Sequence, residues 1–189
     1  MLTSDRNVFK WEWGGHTLIA ACHVDDVLFS PSADAIHVEF LRRVRSRFEI
    51  TGGEDPVTKF CGYQFRFCAE ARTIEMHQED FAKAVLIKYG ALDEPLADTP
   101  MKVGVSPLEP WDGTASDRDT LEFAMFAGDL SWLTRCNPRL AFAAQDLSQF
   151  VNNPGPEHVA AARRVLGHVR KDPGRGLVFH GSDAVLNEV

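Results

Sequence analysis

Apolar runs separated by short polar or glycine breaks mark the first thirty positions. "NVFKWEW" and "HTLIAACH" are rich in β-branched and aromatic residues and flank Gly14-Gly15. Two such runs across a Gly-Gly pair predict a β-hairpin. A third apolar run follows at "VLFS", so the segment reads as strand, turn, strand, interruption, strand. The interruption is Asp25-Asp26. Neighbouring side chains on a strand point to opposite faces, so one carboxylate of an adjacent pair would enter the core. A hairpin tip resolves the conflict, because the apolar flanks pack inward while both carboxylates stay at the rim.

The pattern then changes period. In "PSADAIHVEFLRRVRSRFEI", Ile36, Phe40, Leu41, Val44 and Phe48 fall at helical spacing, with Ser32 or Asp34 as the expected cap. "TGGEDP" breaks the chain. "VTKFCGYQFRFC" and "RTIEMHQ" predict two short strands joined near Ala69–Arg72. "QEDFAKAVLIKYG" predicts a helix that stops at Gly90. Pro95, Pro100, Pro107 and Pro110 mark residues 91–118 as a connector. Three helical segments follow: one capped by Asp117, one with Pro138 and one with Pro156 near the first helical position. "GLVFHGSDAVLNEV" closes the chain as strand, turn at Gly181–Asp183, and the start of a further strand. A β-rich first half and a helical second half predict the α+β class.

Composition narrows the classes. The 189 residues carry a formal charge of −7, which opposes non-specific attraction to nucleic acid by the chain as a whole. Hydrophobic content of 44% suits a globular core. Cys22, Cys61, Cys68 and Cys136 show no CxxC spacing and the seven histidines form no HxxxH pair, so structural zinc is not expected. The expected setting is intracellular, cytoplasmic or nuclear. No secretory leader is legible, and no apolar run approaches the ~20 residues of a membrane span.

Adjacent carboxylates at a rim suit Mg²⁺, which takes one or two carboxylates and fills its shell with water and substrate phosphates. Two such ions about 4 Å apart can stabilise both oxygens of a phosphoryl transfer. An Asp-Asp dipeptide is by itself also a common turn or capping feature.

The order of segments adds what no single motif carries. "HVDDVLF" resembles the Tyr-Val-Asp-Asp box of reverse transcriptases, and the continuation resembles the copia-type retrotransposon branch. "SRFEITGGEDPVTKFCGYQFRF", "IEMHQEDFAKAVLIKYG", "DTPM" and the long run "GDLSWLTRCNPRLAFAAQDLSQFVNNPGPEHVAAARRVLGHVRKDPGRGLVF" are similar to successive stretches of that family. The resemblance implies that Asp25 and Asp26 are the catalytic, metal-binding pair of a palm. It implies that Phe60, Cys61, Gly62 and Tyr63 lie on a primer-grip-like hairpin. It divides the chain into a partial palm with an antiparallel sheet over 1–77, a helical thumb and connection over 78–172, and an incomplete ribonuclease H-like strand pair over 173–189. The cofactor implied for the intact parent is Mg²⁺, and its partner is an RNA/DNA template–primer.

The departures from the family set further expectations. Only 24 residues precede Asp25, so the upstream catalytic aspartate and the fingers are not matched. His23 replaces the family's Tyr, and "RCNPRLA" replaces an Arg-Pro-Asp-Ile-Ala pattern. The chain therefore reads as a fragment or truncated descendant of an RNA-directed DNA polymerase, inactive alone. The alternatives are a non-catalytic binding remnant for nucleic acid or protein, and a translated relic. An unmatched palm strand implies an exposed sheet edge and self-association.

Other residues have bland readings beside the functional ones. Arg42, Arg43, Arg45 and Arg47 read first as a solvated helix face. Arg163, Arg164, Arg170 and Lys171, with Arg175, are candidates for contact with nucleic acid along the template–primer path. His23 reads as a partly buried core histidine, and Cys22 and Cys61 as small core residues. Trp11, Trp13 and Trp111 are candidates for base stacking, whereas Trp132 sits in an apolar helical stripe. "GGEDP" is read as a turn.

Overall fold

The computed structural model describes residues 5–104 and 107–181. The chain divides into two compact units, one running through Tyr63 and the other starting at Gln64. Among the described residues there are two antiparallel sheets and five α-helices, so the α+β class holds.

The first unit is built on three antiparallel strands in the order β1 (Val8–Trp13), β2 (His16–His23) and β3 (Asp26–Pro31). Gly14 and Gly15 both have positive φ, 59° and 79°, as a two-residue hairpin turn with right-handed strand twist requires. Helix α1 (Asp34–Arg45) covers one face. Leu18, Ala20 and Ile36 are buried there, with Trp11, Phe29 and Phe40 packed round them. Phe29 and Phe40 are 5.1 Å apart in a tilted pair.

The cap of α1 differs from expectation. Ala33 occupies the capping position and no side chain caps the helix. Ser32 is committed elsewhere: its N–H donates to Thr17 O at 2.8 Å and its Oγ accepts from Thr17 N at 2.9 Å. It finishes the β2–β3 ladder instead. The helix also ends at Arg45, so Phe48 falls outside it and is exposed. Gly53 closes the loop beyond. Its φ is 98°, and a Cβ there would sit 2.8 Å from Leu41 Cδ2. Its carbonyl bonds to His37 Nε2 at 2.6 Å.

A two-residue strand β4 (Lys59–Phe60) precedes β5 (Tyr63–Cys68), whose start lies at the division between the units. In the second unit β5 pairs with β6 (Thr73–His77), and β6 pairs with β7 (Leu177–His180), all antiparallel. β7 completes this sheet, at a separation of about a hundred residues from β6. The expected turn at Asp183 and the strand after it lie outside the described residues.

Four helices supply the larger core: α2 (Glu79–Lys88), α3 (Asp117–Leu133), α4 (Ala141–Ser148) and α5 (Pro156–Lys171). Their buried faces meet at Val85, Leu86, Phe123, Phe126, Leu130, Leu147, Val165 and Leu166. A single 3-10 turn, Pro138–Leu140, leads into α4. The cap of α3 is Ser116, not Asp117: the Ser116 backbone is extended and its Oγ accepts from Asp119 N at 3.1 Å. Asp117 falls in the first turn, where a carboxylate still favours the helix dipole.

The 111–115 part of the connector is held by Asn153. Asn153 Oδ1 accepts from Ala115 N at 2.9 Å, and its Nδ2 donates to Trp111 O and Gly113 O at 3.2 and 3.0 Å. The Trp111 indole lies against Gly113 and Gly155, where a Cβ would come within 2.3 and 2.5 Å of the ring. Trp132 is half-buried. With the Gln78 amide oriented to satisfy both groups, its oxygen accepts from Trp132 Nε1 at 2.8 Å and its nitrogen donates to Trp132 O at 3.1 Å. Among the described residues no helix is long and apolar enough to cross a membrane.

Candidate metal-binding hairpin

The β2–β3 register pairs His23 with Asp26, leaving Val24 and Asp25 as a two-residue loop. Asp25 is therefore at the tip and Asp26 is the first residue of β3. Both are exposed, as the apolar flanks require. Strand alternation places Asp26 with Leu28 and Ser30 on the sheet face opposite α1. His23, expected to be partly buried, is exposed as well, since it ends β2 beside the tip.

The tip is strained at one residue. Val24 has φ 54°, in the left-handed region that a β-branched side chain avoids. Its side chain is 89% exposed, so no packing compensates. Such a conformation costs about 1–3 kcal/mol. Val24→Gly is expected to raise stability by about 1 kcal/mol, after the extra backbone entropy of glycine is subtracted. Thermal melting of the variant checks this, and a lowered midpoint would show that the turn is not strained.

The donor set is two exposed carboxylates, Asp25 in the loop and Asp26 at the start of β3. Among the described residues no group of three or more His, Cys, Asp or Glu comes together as a metal cage. Two carboxylates do not make a closed protein site; a Mg²⁺ ion held there would take the rest of its shell from phosphate and water.

The other implied residues are placed as follows. Cys61 and Gly62 form the turn between β4 and β5, with φ of 49° and 81°. Phe60, Cys61 and Tyr63 are half-buried around it. Cys22 is half-buried, and Cys136 is buried, with burial pushing its thiol up to about 11.

The basic groups are largely engaged within the fold. Arg42 and Arg43 both bond to Glu39, at 2.7 and 2.6 Å, and hold its carboxyl down to about 2. Arg43 also lies 5.2 Å over the Trp11 ring, and Arg45 pairs with Glu54. On α5, Arg163 donates to Tyr89 O at 2.9 Å and to Glu94 Oε1 at 3.0 Å. Arg164 donates to Thr99 Oγ1 at 3.0 Å, Arg170 to Glu94 O at 2.7 Å, and Lys171 pairs with Asp98. These four side chains fasten the 89–99 segment along α5.

His158 and Asn153 were not singled out by the sequence reading, yet both organise the helical unit. A signal for His158 existed: it stands three residues after Gly155, where a side-chain acceptor can reach back to the capping N–H. Asn153 had none, because its partners lie about forty positions upstream.

No known family profile matches the chain, and no solved structure matches it. The chain is 25% identical over 175 residues to the retrovirus-related Pol polyprotein from transposon RE1 of Arabidopsis thaliana, covering 92% of this chain and 12% of that protein. It is 22% identical over 174 residues to the corresponding polyprotein from transposon TNT 1-94 of Nicotiana tabacum, with coverage of 89% and 13%. It is also 26% identical over 159 residues to an uncharacterized mitochondrial protein of Arabidopsis thaliana, covering 84% of this chain and 62% of that protein. The chain thus spans about an eighth of the polyproteins it matches. The similarity is distant and extends over most of the chain.

Proposed function

We propose that this chain is the Asp-Asp hairpin, primer-grip, thumb and connection portion of a copia-type RNA-directed DNA polymerase. The observation that carries the reading is the tip itself: Asp25 in a two-residue turn and Asp26 beside it at the start of β3, both exposed, at the place where the family resemblance puts a metal-binding pair. The likeness to transposon Pol polyproteins along most of the chain supports it.

In this reading Asp25 and Asp26 offer carboxylate oxygens at the rim, and the β2–β3 ladder holds the turn that carries them. Mg²⁺, when bound, supplies the positive charge that phosphoryl transfer needs. Phe60, Cys61, Gly62 and Tyr63 serve as the turn against which a primer end rests. The partner is an RNA/DNA template–primer. The α5 cations Arg163, Arg164, Arg170 and Lys171 enter second, because each already holds a partner in the 89–99 segment.

Two carboxylates without a third ligand bind a divalent ion weakly, with a dissociation constant on the order of millimolar. The isolated 189 residues are therefore expected to show no primer extension with Mg²⁺ or Mn²⁺. Mn²⁺ should broaden the resonances of residues 23–28 selectively, and Asp25→Asn with Asp26→Asn should abolish that broadening. Broadening that ignores both substitutions would remove the metal reading. Extension that Asp25→Asn abolishes would overturn the inactivity.

A further inference from the structure

Helix α3 ends at Leu133, and the chain passes through Cys136 and Asn137 before Pro138 opens the 3-10 turn. The Asn137 backbone is used there: its N–H donates to Leu133 O at 3.0 Å and its carbonyl accepts from Leu140 N at 3.1 Å. Its side chain is not used. Asn137 is 8% exposed, and its Oδ1 is closed off with no hydrogen-bond partner among the described residues. Nδ2 makes no hydrogen bond either and is the end left open. A native fold rarely buries an amide without giving it something to bond.

Asn137 lines a cavity of about 270 Å³ whose walls all belong to the second unit. Arg139, also in the wall, is exposed, and among the described residues its guanidinium has no hydrogen bond or ion pair. Helix α5 contributes His168, 9% exposed. The ring's Nδ1 donates to Ala97 O at 3.0 Å, because a carbonyl only accepts. That leaves Nε2, which donates once it is protonated. Lys171 and Arg175 complete the cationic wall, and two carboxylates balance them. Lys171 pairs with Asp98, and Arg175 holds Asp172 through Nε and Nη2, both at 3.0 Å. The Arg175 guanidinium keeps further N–H donors. The charge of Arg139 is left in excess. The C-terminal end of α5 favours cations through its dipole, which accounts for Lys171. It accounts neither for Arg139, which belongs to the turn before α4, nor for the Asn137 amide.

We propose that this cavity binds a phosphate group, with Arg139 and Asn137 as its principal donors and Arg175 and His168 beside them. Guanidinium forks match the oxygens of a phosphate, and an amide N–H adds a neutral donor. A water occupies ~30 Å³ of liquid, so the cavity has room for a phosphate and part of its hydration shell. A metal cation does not suit the same walls. Asp98 and Asp172 are each held by a cation, and among the described residues no group of three His, Cys, Asp or Glu forms a cage. The phosphate has two sources of one chemistry: a free phosphate or monoester, and the phosphodiester of a nucleic-acid strand.

The inference does not rest on the polymerase reading, because its readout is phosphate binding and not activity. Inorganic phosphate is titrated into the 189-residue chain at constant ionic strength, with chloride as the balancing salt. The Asn137 side-chain amide and Arg139 Nε–H resonances are expected to shift saturably. Arg139→Glu should weaken binding at least about tenfold while the melting temperature stays that of the parent, since this side chain holds nothing in the fold. Arg118→Glu makes the same charge change on α3, at a residue that does not line the cavity, and should stay within about twofold of the parent. A short single-stranded oligodeoxynucleotide without terminal phosphates is the second probe. If it shifts the same two resonances at lower concentration, the source is the strand's phosphodiester. If only inorganic phosphate shifts them, the source is a free phosphate or monoester. An Asn137 amide unmoved by either probe up to about 50 mM overturns the proposal. So does equal weakening by Arg139→Glu and Arg118→Glu, since the binding would then follow overall charge and not this cavity.

Discussion

Replacing His158 by leucine is expected to cost the helical unit about 3 kcal/mol. The ring is 1% exposed. Its Nδ1 accepts from Gly155 N at 2.8 Å, and its Nε2 is bonded to the Glu109 carbonyl at 2.9 Å. It also stacks on Phe150, with centroids 4.0 Å apart and planes at 11°. Leucine fills much of the volume but leaves the Gly155 N–H buried and unpaired, at about 1–3 kcal/mol. The Glu109 carbonyl is nearer the surface and can turn to water at smaller cost. The stacking contributes about 0.5–1.5 kcal/mol more. Denaturant unfolding followed by far-ultraviolet circular dichroism measures the loss. His158→Gln, which keeps a polar reach to one partner, should recover part of it. A change below about 0.5 kcal/mol would show that the ring bridges nothing.

Gly167→Ala is expected to be about as damaging, against the local preference of a helix. Within a helix alanine is favoured over glycine by about 1 kcal/mol. Here a Cβ would stand 2.2 Å from Pro95 O, a backbone atom that cannot turn aside as a side chain would. The 94–99 segment is fastened on both sides of that point. Ala97 N donates to Gly167 O at 3.4 Å, Ala97 O is bonded to His168 Nδ1 at 3.0 Å, and Arg170 holds Glu94 O. Overpacking of this kind costs about 1–3 kcal/mol, and more where the backbone itself must move. A net loss of about 2–3 kcal/mol is expected, with faster hydrogen exchange at Ala97. A stabilised variant would mean that the helix preference wins and the segment does not lie on α5.

The two substitutions bear on how the basic residues of α5 are read. A run with Arg163, Arg164, Arg170 and Lys171 looks in sequence like a surface for phosphates. In the fold the same side chains reach carbonyls and carboxylates of the 89–99 segment. Ala91 and Ala97 of that segment are buried while Leu92 and Leu96 stay exposed, and hydrogen bonds from the helix beside it add to the hold. The exposed pairs among them, such as Arg163–Glu94 and Lys171–Asp98, contribute little each, since exposed ion pairs are worth about 0–1 kcal/mol. The bonds to backbone carbonyls matter more, because those groups have no other partner in the fold that the structure shows.

Much of the first unit was legible because its information is local. Gly14-Gly15 can take positive φ and sets one hairpin. The apolar runs of β2 and β3 mark both as strands, and an Asp-Asp pair between apolar flanks must go to the tip. The α1 cap was not legible, because Ser32 has two uses and the strand ladder outcompetes the helix end. The exposure of His23 follows from its place at the strand end, which composition alone does not reveal.

By itself, then, the sequence determined the α+β class, the hairpin that carries Asp25 and Asp26, the helical segments and the connector between them. Each depends on side-chain period or on turn residues within a few positions. Only the tertiary structure decided that β6 takes β7 as its neighbour, that Asn153 and His158 tie the connector to α5, and that the α5 cations are spent on the 89–99 segment. These are pairings across tens of residues, and a hydrogen bond of that range leaves no period in the chain that forms it.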